Sequence, residues 1–220
     1  MAHKQINSRE DLINLYRQSL ESHGDSPAAV LWPKGRQDLR FEALTQEINP
    51  HKHVSILDFG CGLAHLKDYL DKYGFNIDYT GVDVVPEFLE LAKKRQPDGN
   101  YVLVEDALSL STRYDYVLIS GTFNIVEGDI DAHRKRVEEA LIHLFKLSRI
   151  SLAVNFMTDE VDFMQADAYH VSPESVMSFV RHNLSRRLRL NQGYMPYEFT
   201  VIALSDDSVV TPDNVYSPRS

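Results

Sequence analysis

The sequence predicts an α/β fold in which a doubly wound, mostly parallel sheet of seven strands follows an N-terminal helical leader. From residue 54 onwards, short apolar runs alternate with segments of helical periodicity, which indicates βαβ units with right-handed crossovers. The first 48 residues contain amphipathic helical segments instead of such runs. A short connection around Gly193 joins the last two predicted strands. It suits a hairpin, so one of these strands should run antiparallel to the rest.

The order of elements follows from periodicity and from residues typical of helix ends. The leader should form one helix over residues 8–22, capped by Ser8, and another over residues 37–47, with a loop rich in proline and glycine between them. The seven strands are predicted at Val54–Phe59, Tyr79–Val82, Tyr101–Val104, Tyr116–Ile119, Ile150–Phe156, Arg187–Asn191 and Glu198–Leu204. We therefore divide the chain into a leader or lid (1–48), a core domain (49–205) and a flexible tail (206–220).

Composition narrows the classes of partner and the cellular compartment. The 220 residues carry a formal charge of −9, so attraction to a phosphate backbone is not expected and nucleic acid is not predicted as a partner. The one basic cluster, Arg181 with Arg186, Arg187 and Arg189, is interpreted as a solvated surface. Cys61 is the single cysteine, which excludes an internal disulfide. Without a signal region or a run of membrane-spanning length, the chain is predicted to be cytoplasmic and not bound to a membrane.

A glycine-rich turn after the first strand is the first candidate for a binding site. Gly60 and Gly62 follow this strand and precede a helix, so backbone can approach a ligand at the helix N-terminus. Cys61, between them, belongs to the same candidate cofactor-binding turn, and it is interpreted as a packing residue there and not as a nucleophile. Asp83 ends the second predicted strand, where a carboxylate can accept hydrogen bonds from ribose hydroxyls. The alternative is an ordinary tight turn at the glycines and a helix cap at Asp83.

The residues around this turn distinguish between two nucleotide cofactors. A dinucleotide site requires a third glycine where this chain has His65, which would obstruct the pyrophosphate. Asp58 places a carboxylate just before the glycines, where it repels pyrophosphate but tolerates the ammonium of a methionine moiety. The local charge therefore favours S-adenosylmethionine over a dinucleotide. No metal site is predicted, because His51 and His53 lack a carboxylate partner set.

Four segments in order resemble the motifs of class I S-adenosylmethionine-dependent methyltransferases. Ile56 to Leu70 resembles their first motif, Tyr79 to Arg95 the second, Val104 to Leu108 the third and Tyr114 to Ile125 the fourth. The resemblance covers about residues 54–204 and implies a Rossmann-like methyltransferase fold. One departure is Ala64, which stands where the family usually has a third glycine.

The resemblance also implies a role for each matching residue. Asp58, Gly60 and Gly62 would surround the methionine end of the cofactor, and Ser120 with Gly121 would lie beside the sulfonium and its methyl. Asp83 would bind the ribose. Val84 would pack on the adenine, Asp106 would accept a hydrogen bond from the adenine amino group, and Ala107 would contribute backbone. Turn residues after strands are the alternative for a residue such as Asp106.

The segment from Gly24 to Leu44 resembles the leader of a bacterial subgroup acting on small molecules and glycans, in which the leader helices cover the cofactor. This implies that Gln37 and Arg40 reach the cofactor carboxylate and that Trp32 covers the pocket. The guanidinium of arginine suits a carboxylate through its bidentate fork. The alternative is that these are solvated helix residues.

The acceptor site should lie after the fourth and fifth strands. Phe123, Asn124 and the stretch from Phe156 to His170 provide aromatic, methionine and carboxylate side chains that can enclose and orient an acceptor. The alternative is an insertion whose aromatic side chains pack on the sheet. His170 is the first candidate for a general base because histidine titrates near neutral pH, and Tyr169 is the second. A lone histidine is also compatible with a structural role.

The predicted function is methyl transfer from S-adenosylmethionine to an oxygen or nitrogen of a small metabolite or of a sugar unit in a glycan. Two alternatives stay open at this point. One is an aminopropyltransferase that uses decarboxylated S-adenosylmethionine, which lacks the carboxylate that Arg40 would bind. The other is a non-catalytic protein that binds S-adenosylmethionine and interacts with a partner. Titration with both cofactors and product analysis distinguish the three.

Overall fold

A computed structural model describes residues 6–32, 36–165 and 167–206. Its strands are β1 (Val54–Phe59), β2 (Ile77–Asp83), β3 (Asn100–Leu103), β4 (Tyr114–Ile119), β5 (Ser148–Thr158), β6 (His170–Val171), β7 (Leu188–Asn191) and β8 (Glu198–Leu204). Its α-helices are α1 (Arg9–His23), α2 (Gln37–Leu44), α3 (His65–Lys72), α4 (Pro86–Arg95), α5 (Ile130–Leu147) and α6 (Pro173–Asn183). Two 3₁₀ turns, η1 (Pro27–Val30) and η2 (Ala107–Ser109), follow α1 and β3.

The strands form one mixed sheet in the order β3-β2-β1-β4-β5-β8-β7, with β6 paired to β5. Strands β1 to β5 are mutually parallel, whereas β8 is antiparallel to both β5 and β7. This confirms the doubly wound α/β fold, the helical leader and the antiparallel strand near the C-terminus. Strand β6 was not predicted, because its two residues are too few to show periodicity.

The helix ends have the chemistry expected from the sequence. The Ser8 hydroxyl accepts a hydrogen bond from the Asp11 backbone N–H at the start of α1, as its predicted cap requires. Ser172 caps α6 in the same way, and Pro173 occupies a position where a missing N–H costs nothing. Helix α5 begins at residue 130, seven residues before Val137, Leu141 and Leu144 of its buried face, because the Asp129 carboxylate accepts from two backbone N–H groups.

The central strands are buried on both faces, as parallel strands covered by helices must be. In β1, Leu57 packs on one face with Val117 and Val154, while its neighbour Ile56 packs on the other with Leu118. Helices α5 and α6 cover the first face, and α2 and α3 cover the second. The carboxyl ends of the parallel strands are thereby held rigidly along one edge, where this class of sheet binds ligands.

The leader shares its apolar contacts with the rest of the molecule. Phe41 and Leu44 of α2 belong to the same buried cluster as the sheet residue Ile56. Tyr16 of α1 packs edge-on against Phe88 of α4, with ring centroids 5.7 Å apart. The leader therefore forms part of the folded core as well as a cover. The predicted tail falls almost wholly on residues 207–220, outside those the structure describes. No described helix is long and apolar enough to cross a bilayer.

Candidate functional site

A cavity of about 1050 Å³ lies beyond the carboxyl ends of β1, β2 and β4 and beneath the leader. Every residue assigned to the cofactor site from the sequence lines it, namely Trp32, Gln37, Arg40, Asp58, Gly60, Cys61, Gly62, Asp83, Val84, Asp106, Ala107, Ser120 and Gly121. These residues come from the leader and from the ends of four strands. The fold therefore brings the predicted set together in one place, on the side of the sheet where doubly wound proteins bind ligands.

The turn after β1 has a backbone that only glycine accepts without strain. Gly60 and Gly62 have φ values of +76° and +53°. A Cβ atom on Gly60 would lie 2.2 Å from Oγ1 of Thr122, whose hydroxyl donates to the Phe59 carbonyl at 2.7 Å. Ala64 also has a positive φ, of +58°, at the start of α3. The family departure at Ala64 thus retains the backbone conformation that the missing glycine would have favoured.

Asp83 connects this turn to the start of α4. One carboxylate oxygen accepts from the Gly62 backbone N–H at 2.8 Å, and the other accepts from the Val85 backbone N–H at 2.9 Å. Burial raises the pKa of Asp83, while these backbone donors act to lower it. The side chain therefore ties the glycine turn to the residue that precedes α4, but it does not cap the helix, whose N-cap position is Val85. Each oxygen keeps a second lone pair with which it can accept from a ligand in the cavity.

Asp58 is the acidic residue deepest in the site, with only 1% of its surface exposed. The Tyr79 hydroxyl donates to its Oδ2 at 2.6 Å, while Oδ1 has no hydrogen-bond partner. Burial raises the pKa of Asp58 to about 7, against the hydrogen bond from Tyr79, which lowers it. Burial also raises the pKa of the neighbouring Cys61 thiol well above its ordinary value, which fits a packing residue and not a nucleophile.

The cavity lining contains buried polar atoms that a ligand would satisfy. Asp58 Oδ1, Trp32 Nε1 and Asn124 Oδ1 all lack a hydrogen-bond partner. An unsatisfied buried polar group costs about 1–3 kcal/mol, so each of these atoms needs a partner, which a ligand or an ordered water can supply. A molecule with both an ammonium and hydrogen-bond donors and acceptors, such as S-adenosylmethionine, suits this set.

Arg40 differs from its predicted role in one respect. Its Nε and Nη2 atoms form a buried fork on the Glu198 carboxylate, so this fork is not available to a cofactor carboxylate. The remaining nitrogen, Nη1, lies beside Gly121, at 2.9 Å from the position of a Cβ on that glycine. The guanidinium also stacks on Trp32, 3.8 Å from the ring centroid. Arg40 is therefore a buried and oriented residue, which excludes the solvated-helix interpretation for it.

Asp106 lies three residues after the end of β3, and its side chain is exposed. Its Oδ1 accepts from the Leu108 backbone N–H at 2.9 Å and so caps η2. This is the turn role given as the alternative, and the side chain also lines the cavity. Ala107 is buried beside it, and Val84 lies half-buried at the end of β2.

The two predicted bases lie outside the cavity lining. His170 Nδ1 contacts the Thr158 carbonyl oxygen at 2.7 Å, and its Nε2 accepts from the Gln165 backbone N–H at 3.4 Å. Tyr169 is buried in the apolar core, and burial raises the pKa of its hydroxyl. A general base must reach the proton that it removes. The geometry does not support a catalytic base at either residue, because backbone contacts and core packing occupy both side chains.

The segment after β5 contributes less to the cavity than the sequence suggests. Met157, Gln165, Asp167 and Ala168 line it, but Phe163 is 71% exposed and does not. Met164 is likewise 60% exposed. The predicted acceptor wall is instead completed by residues 195–198, which precede or begin β8.

Comparison with known proteins decides the family. The chain is 32% identical over 161 residues to the putative methyltransferase Rv1506c of Mycobacterium tuberculosis, an alignment that covers 70% of this chain and 95% of that protein. Residues 56–144 match the family described as "Methyltransferase domain". The chain belongs to the class I S-adenosylmethionine-dependent methyltransferases. S-adenosylmethionine is accordingly the cofactor of this methyltransferase.

Solved structures share the fold of this methyltransferase at low sequence identity. The magnesium protoporphyrin IX methyltransferase of Synechocystis PCC 6803 with bound SAH superimposes with a TM-score of 0.62 at 15% identity, over 87% of this chain and 93% of its own. A structure described as a DhpI-SAM-HEP complex gives a TM-score of 0.65 at 10% identity, over 91% and 99%. These neighbours establish the fold of the chain.

Some lining residues of this methyltransferase escaped the sequence analysis. Nε2 of His133 in α5 donates to the Phe123 carbonyl oxygen at 3.1 Å, and its Nδ1 accepts from the Glu127 backbone N–H at 3.2 Å. Nδ1 is therefore unprotonated and Nε2 carries the proton, and burial lowers the pKa of the ring. Glu198 was missed as well, together with its partner Asn155. A polar residue within the apolar run of β5 is a sequence feature that would have revealed Asn155.

Proposed function

We propose that this protein transfers the methyl group of S-adenosylmethionine to an oxygen or nitrogen of a small metabolite or of a sugar unit in a glycan. The observation that supports it is one continuous cavity that is lined both by the cofactor residues Gly60 and Asp83 and by Asn124, Met157 and Met195. At about 1050 Å³, the cavity reaches the upper end of the range for pockets that hold one drug-sized ligand, about 1,000 Å³. It has room for a cofactor and a small acceptor side by side.

At the end of the cavity that would hold the methyl donor, each lining residue can contact a particular part of the cofactor. Asp58 would hold the ammonium through its unpartnered Oδ1, and Asp83 would accept from the ribose hydroxyls. Nη1 of Arg40, together with Gln37, would contact the carboxylate, while Trp32 covers the site. At the adenine end, Val84 and Ala107 provide apolar contacts, and Asp106 would accept from the amino group. Ser120 and Gly121 would lie next to the methyl.

At the acceptor end, Asn124 is the polar side chain best placed to orient a nucleophile. Its backbone N–H donates to the Gly121 carbonyl at 3.3 Å, and its carbonyl accepts from the Tyr169 N–H at 2.8 Å, so the residue is held firmly. Its unpartnered Oδ1 can accept a hydrogen bond from an N–H or O–H of the acceptor. Met157 and Met195 supply adaptable apolar surface around it.

The reaction is an in-line displacement in which a bond from the acceptor atom to the methyl carbon forms as the carbon–sulfur bond breaks. The cofactor supplies an activated methyl group, so alignment of the two reactants provides much of the rate increase. The protein contributes a fixed turn at Gly60, the Oδ1 atom of Asn124 as an acceptor for the hydrogen bond of the nucleophile, and a leader that lines the cavity. The acceptor proton leaves to solvent or to a group on the acceptor itself.

Trp32 gives a direct test of cofactor binding, because it is the single tryptophan of the chain and lines the cavity. We expect S-adenosylhomocysteine to change its fluorescence saturably, with the same dissociation constant as calorimetry gives. Trp32→Phe should abolish the optical change, while calorimetry still detects binding. Calorimetric binding to the wild-type protein without any change in fluorescence would contradict the placement of Trp32 over the cofactor.

Asp58 predicts a pH dependence of cofactor affinity. With its pKa raised to about 7 by burial, its carboxyl is partly protonated at neutral pH. A bound ammonium favours the ionised form. Affinity for S-adenosylhomocysteine should therefore rise from about pH 6 to about pH 8, and binding should release protons. Calorimetry in buffers of different ionisation enthalpy measures both effects, and Asp58→Asn should remove them. Constant affinity without proton release in the wild-type protein would contradict the assignment.

The transfer itself is tested with a labelled methyl donor and a fractionated pool of small metabolites and glycans from cells. We expect label to enter a small-molecule or glycan fraction, and mass spectrometry then identifies the acceptor. An aminopropyltransferase would instead use decarboxylated S-adenosylmethionine and add an aminopropyl group. Label confined to protein or nucleic acid would overturn the proposed acceptor class.

A further inference from the structure

We infer that Glu198 is a positioning residue that aims Arg40 at the carboxylate of the methyl donor. The inference rests on the proposed function, in which Arg40 binds the carboxylate of the methyl donor. It adds a second residue, distant in the sequence, that holds Arg40 in place. Glu198 begins β8, whereas Arg40 lies in α2, 158 residues earlier. Both side chains are almost fully buried, with 5% of the Arg40 side chain and 6% of the Glu198 side chain exposed.

The contacts of Glu198 occupy two of the three guanidinium nitrogens of Arg40 and leave Nη1 for a ligand. Its carboxylate accepts from Nε of Arg40 at 2.9 Å and from Nη2 as well. Trp32 stacks on the plane of the guanidinium, 3.8 Å from the ring centroid. Since a bidentate pair fixes both the position and the rotation of a guanidinium, Nη1 must face Gly121 and the cavity.

Glu198 is itself held by the strand that lies between it and the methyl end of the site. Nδ2 of Asn155 in β5 donates to Glu198 Oε2 at 3.2 Å. The Oδ1 atom of the same Asn155 accepts from the Gly121 backbone N–H at 2.7 Å. One amide therefore connects the turn beside the methyl group to the carboxylate that orients Arg40. The network sets the spacing between the carboxylate contact and the methyl position.

The charges support a role in orientation over a role in stability. A buried ion pair gains little net stability over apolar side chains of similar size, because desolvation offsets the attraction. A guanidinium that is meant to recognise a ligand carboxylate benefits from being held in place before the ligand arrives, since less side-chain entropy is then lost on binding. Glu198 provides this constraint and leaves Nη1 for the ligand.

The test compares two ligands that differ in the carboxylate alone, S-adenosylmethionine and decarboxylated S-adenosylmethionine, by calorimetry on the full-length protein. Glu198→Gln removes one acceptor and places an amide N–H against the guanidinium, so Arg40 should turn away. We expect affinity for S-adenosylmethionine to fall at least about tenfold. Affinity for the decarboxylated ligand should change little. An equal loss for both ligands would show a purely structural role and overturn the inference.

Two further variants separate the failure of this inference from that of the proposed function. Glu198→Asp keeps the charge but draws the guanidinium back by one methylene, so it should fold and lose carboxylate preference as well. Arg40→Met with Glu198→Met leaves no buried charge unpaired and should lose the preference completely. If that double variant keeps the preference, Arg40 does not bind the carboxylate. If only the double variant loses it, Glu198 is not a positioning residue.

Glu47→Gln is the matched control. Glu47 also joins the leader to a strand through an arginine, with its carboxylate 2.9 Å from Nε of Arg189 in β7, but neither residue lines the cavity. This variant should leave both affinities unchanged. A loss of carboxylate preference in Glu47→Gln would show that any leader contact has this effect, and would contradict the specific role of Glu198.

Discussion

Gly60→Ala should unfold the turn after β1 and abolish cofactor binding, the largest effect that we expect from a single methyl group. Its Cβ would lie 2.2 Å from Thr122 Oγ1, and Thr122 cannot turn aside without losing its hydrogen bond to the Phe59 carbonyl. Left-handed backbone adds about 1–2 kcal/mol and overpacking about 1–3 kcal/mol. Urea unfolding should therefore show a loss of about 3 kcal/mol or more, and calorimetry should show no binding of S-adenosylhomocysteine.

Gly74→Ala separates backbone strain from the steric clash. Gly74 has a similar φ of +71°, but nothing lies within 4 Å of the position of its Cβ. This variant should lose only about 1–2 kcal/mol and bind ligand normally. Thr122→Ala in the Gly60→Ala background should recover part of the lost stability, because it removes the two closest atoms. Equal stability of Gly60→Ala and Gly74→Ala would contradict the explanation.

Asp83→Ala should weaken binding of S-adenosylhomocysteine by about 2–3 kcal/mol, or about 30- to 150-fold. The reason is the loss of a charged acceptor for the ribose hydroxyls. The structure adds a second effect, since the same carboxylate accepts from the Gly62 and Val85 backbone N–H groups. The free energy of unfolding should therefore also fall, by about 1–2 kcal/mol. Calorimetry on the folded variant measures the first effect, and urea unfolding measures the second.

Asp129→Ala is the control for this experiment. The Asp129 carboxylate also accepts from two backbone N–H groups, at the start of α5, but it does not line the cavity. Its loss should cost about 0.5–2 kcal/mol of stability and leave ligand affinity unchanged. Unchanged affinity in a folded Asp83→Ala protein would remove Asp83 from the site. An equal loss of affinity in both variants would assign the effect to stability alone.

Local pattern was sufficient for much of the fold. The predicted bounds of β1 and β8 agree with the structure, because both are short, mostly apolar segments that the sheet buries on two faces. Ser8 was recognisable as a cap because a hydroxyl before an amphipathic stretch satisfies a free backbone N–H. β6 was missed, since a strand of two residues is too short to show an apolar periodicity.

The residues predicted for the cofactor lie together in one cavity, whereas the two predicted bases, His170 and Tyr169, lie outside its lining. Most of the predicted cofactor residues lie at or directly after the ends of strands, and a parallel sheet brings all such positions to one edge. The acceptor wall has no such rule. His170 was a reasonable base from its chemistry, but its ring nitrogens contact the backbone at Thr158 and Gln165, which only the folded path of the segment 158–170 determines.

The sequence by itself determined the sheet class, the methyltransferase family and the glycine turn with its flanking carboxylates, because these depend on residue type and short spacing. The tertiary structure alone decided which charged groups meet. Arg40 and Glu198 pair across 158 residues, and Asn155 joins them to Gly121 through a hydrogen bond between neighbouring strands. Contacts of this kind depend on strand order and on which helix covers which face. No local sequence pattern encodes these contacts. In the proposed site they orient Arg40, which is the only buried arginine among the described residues.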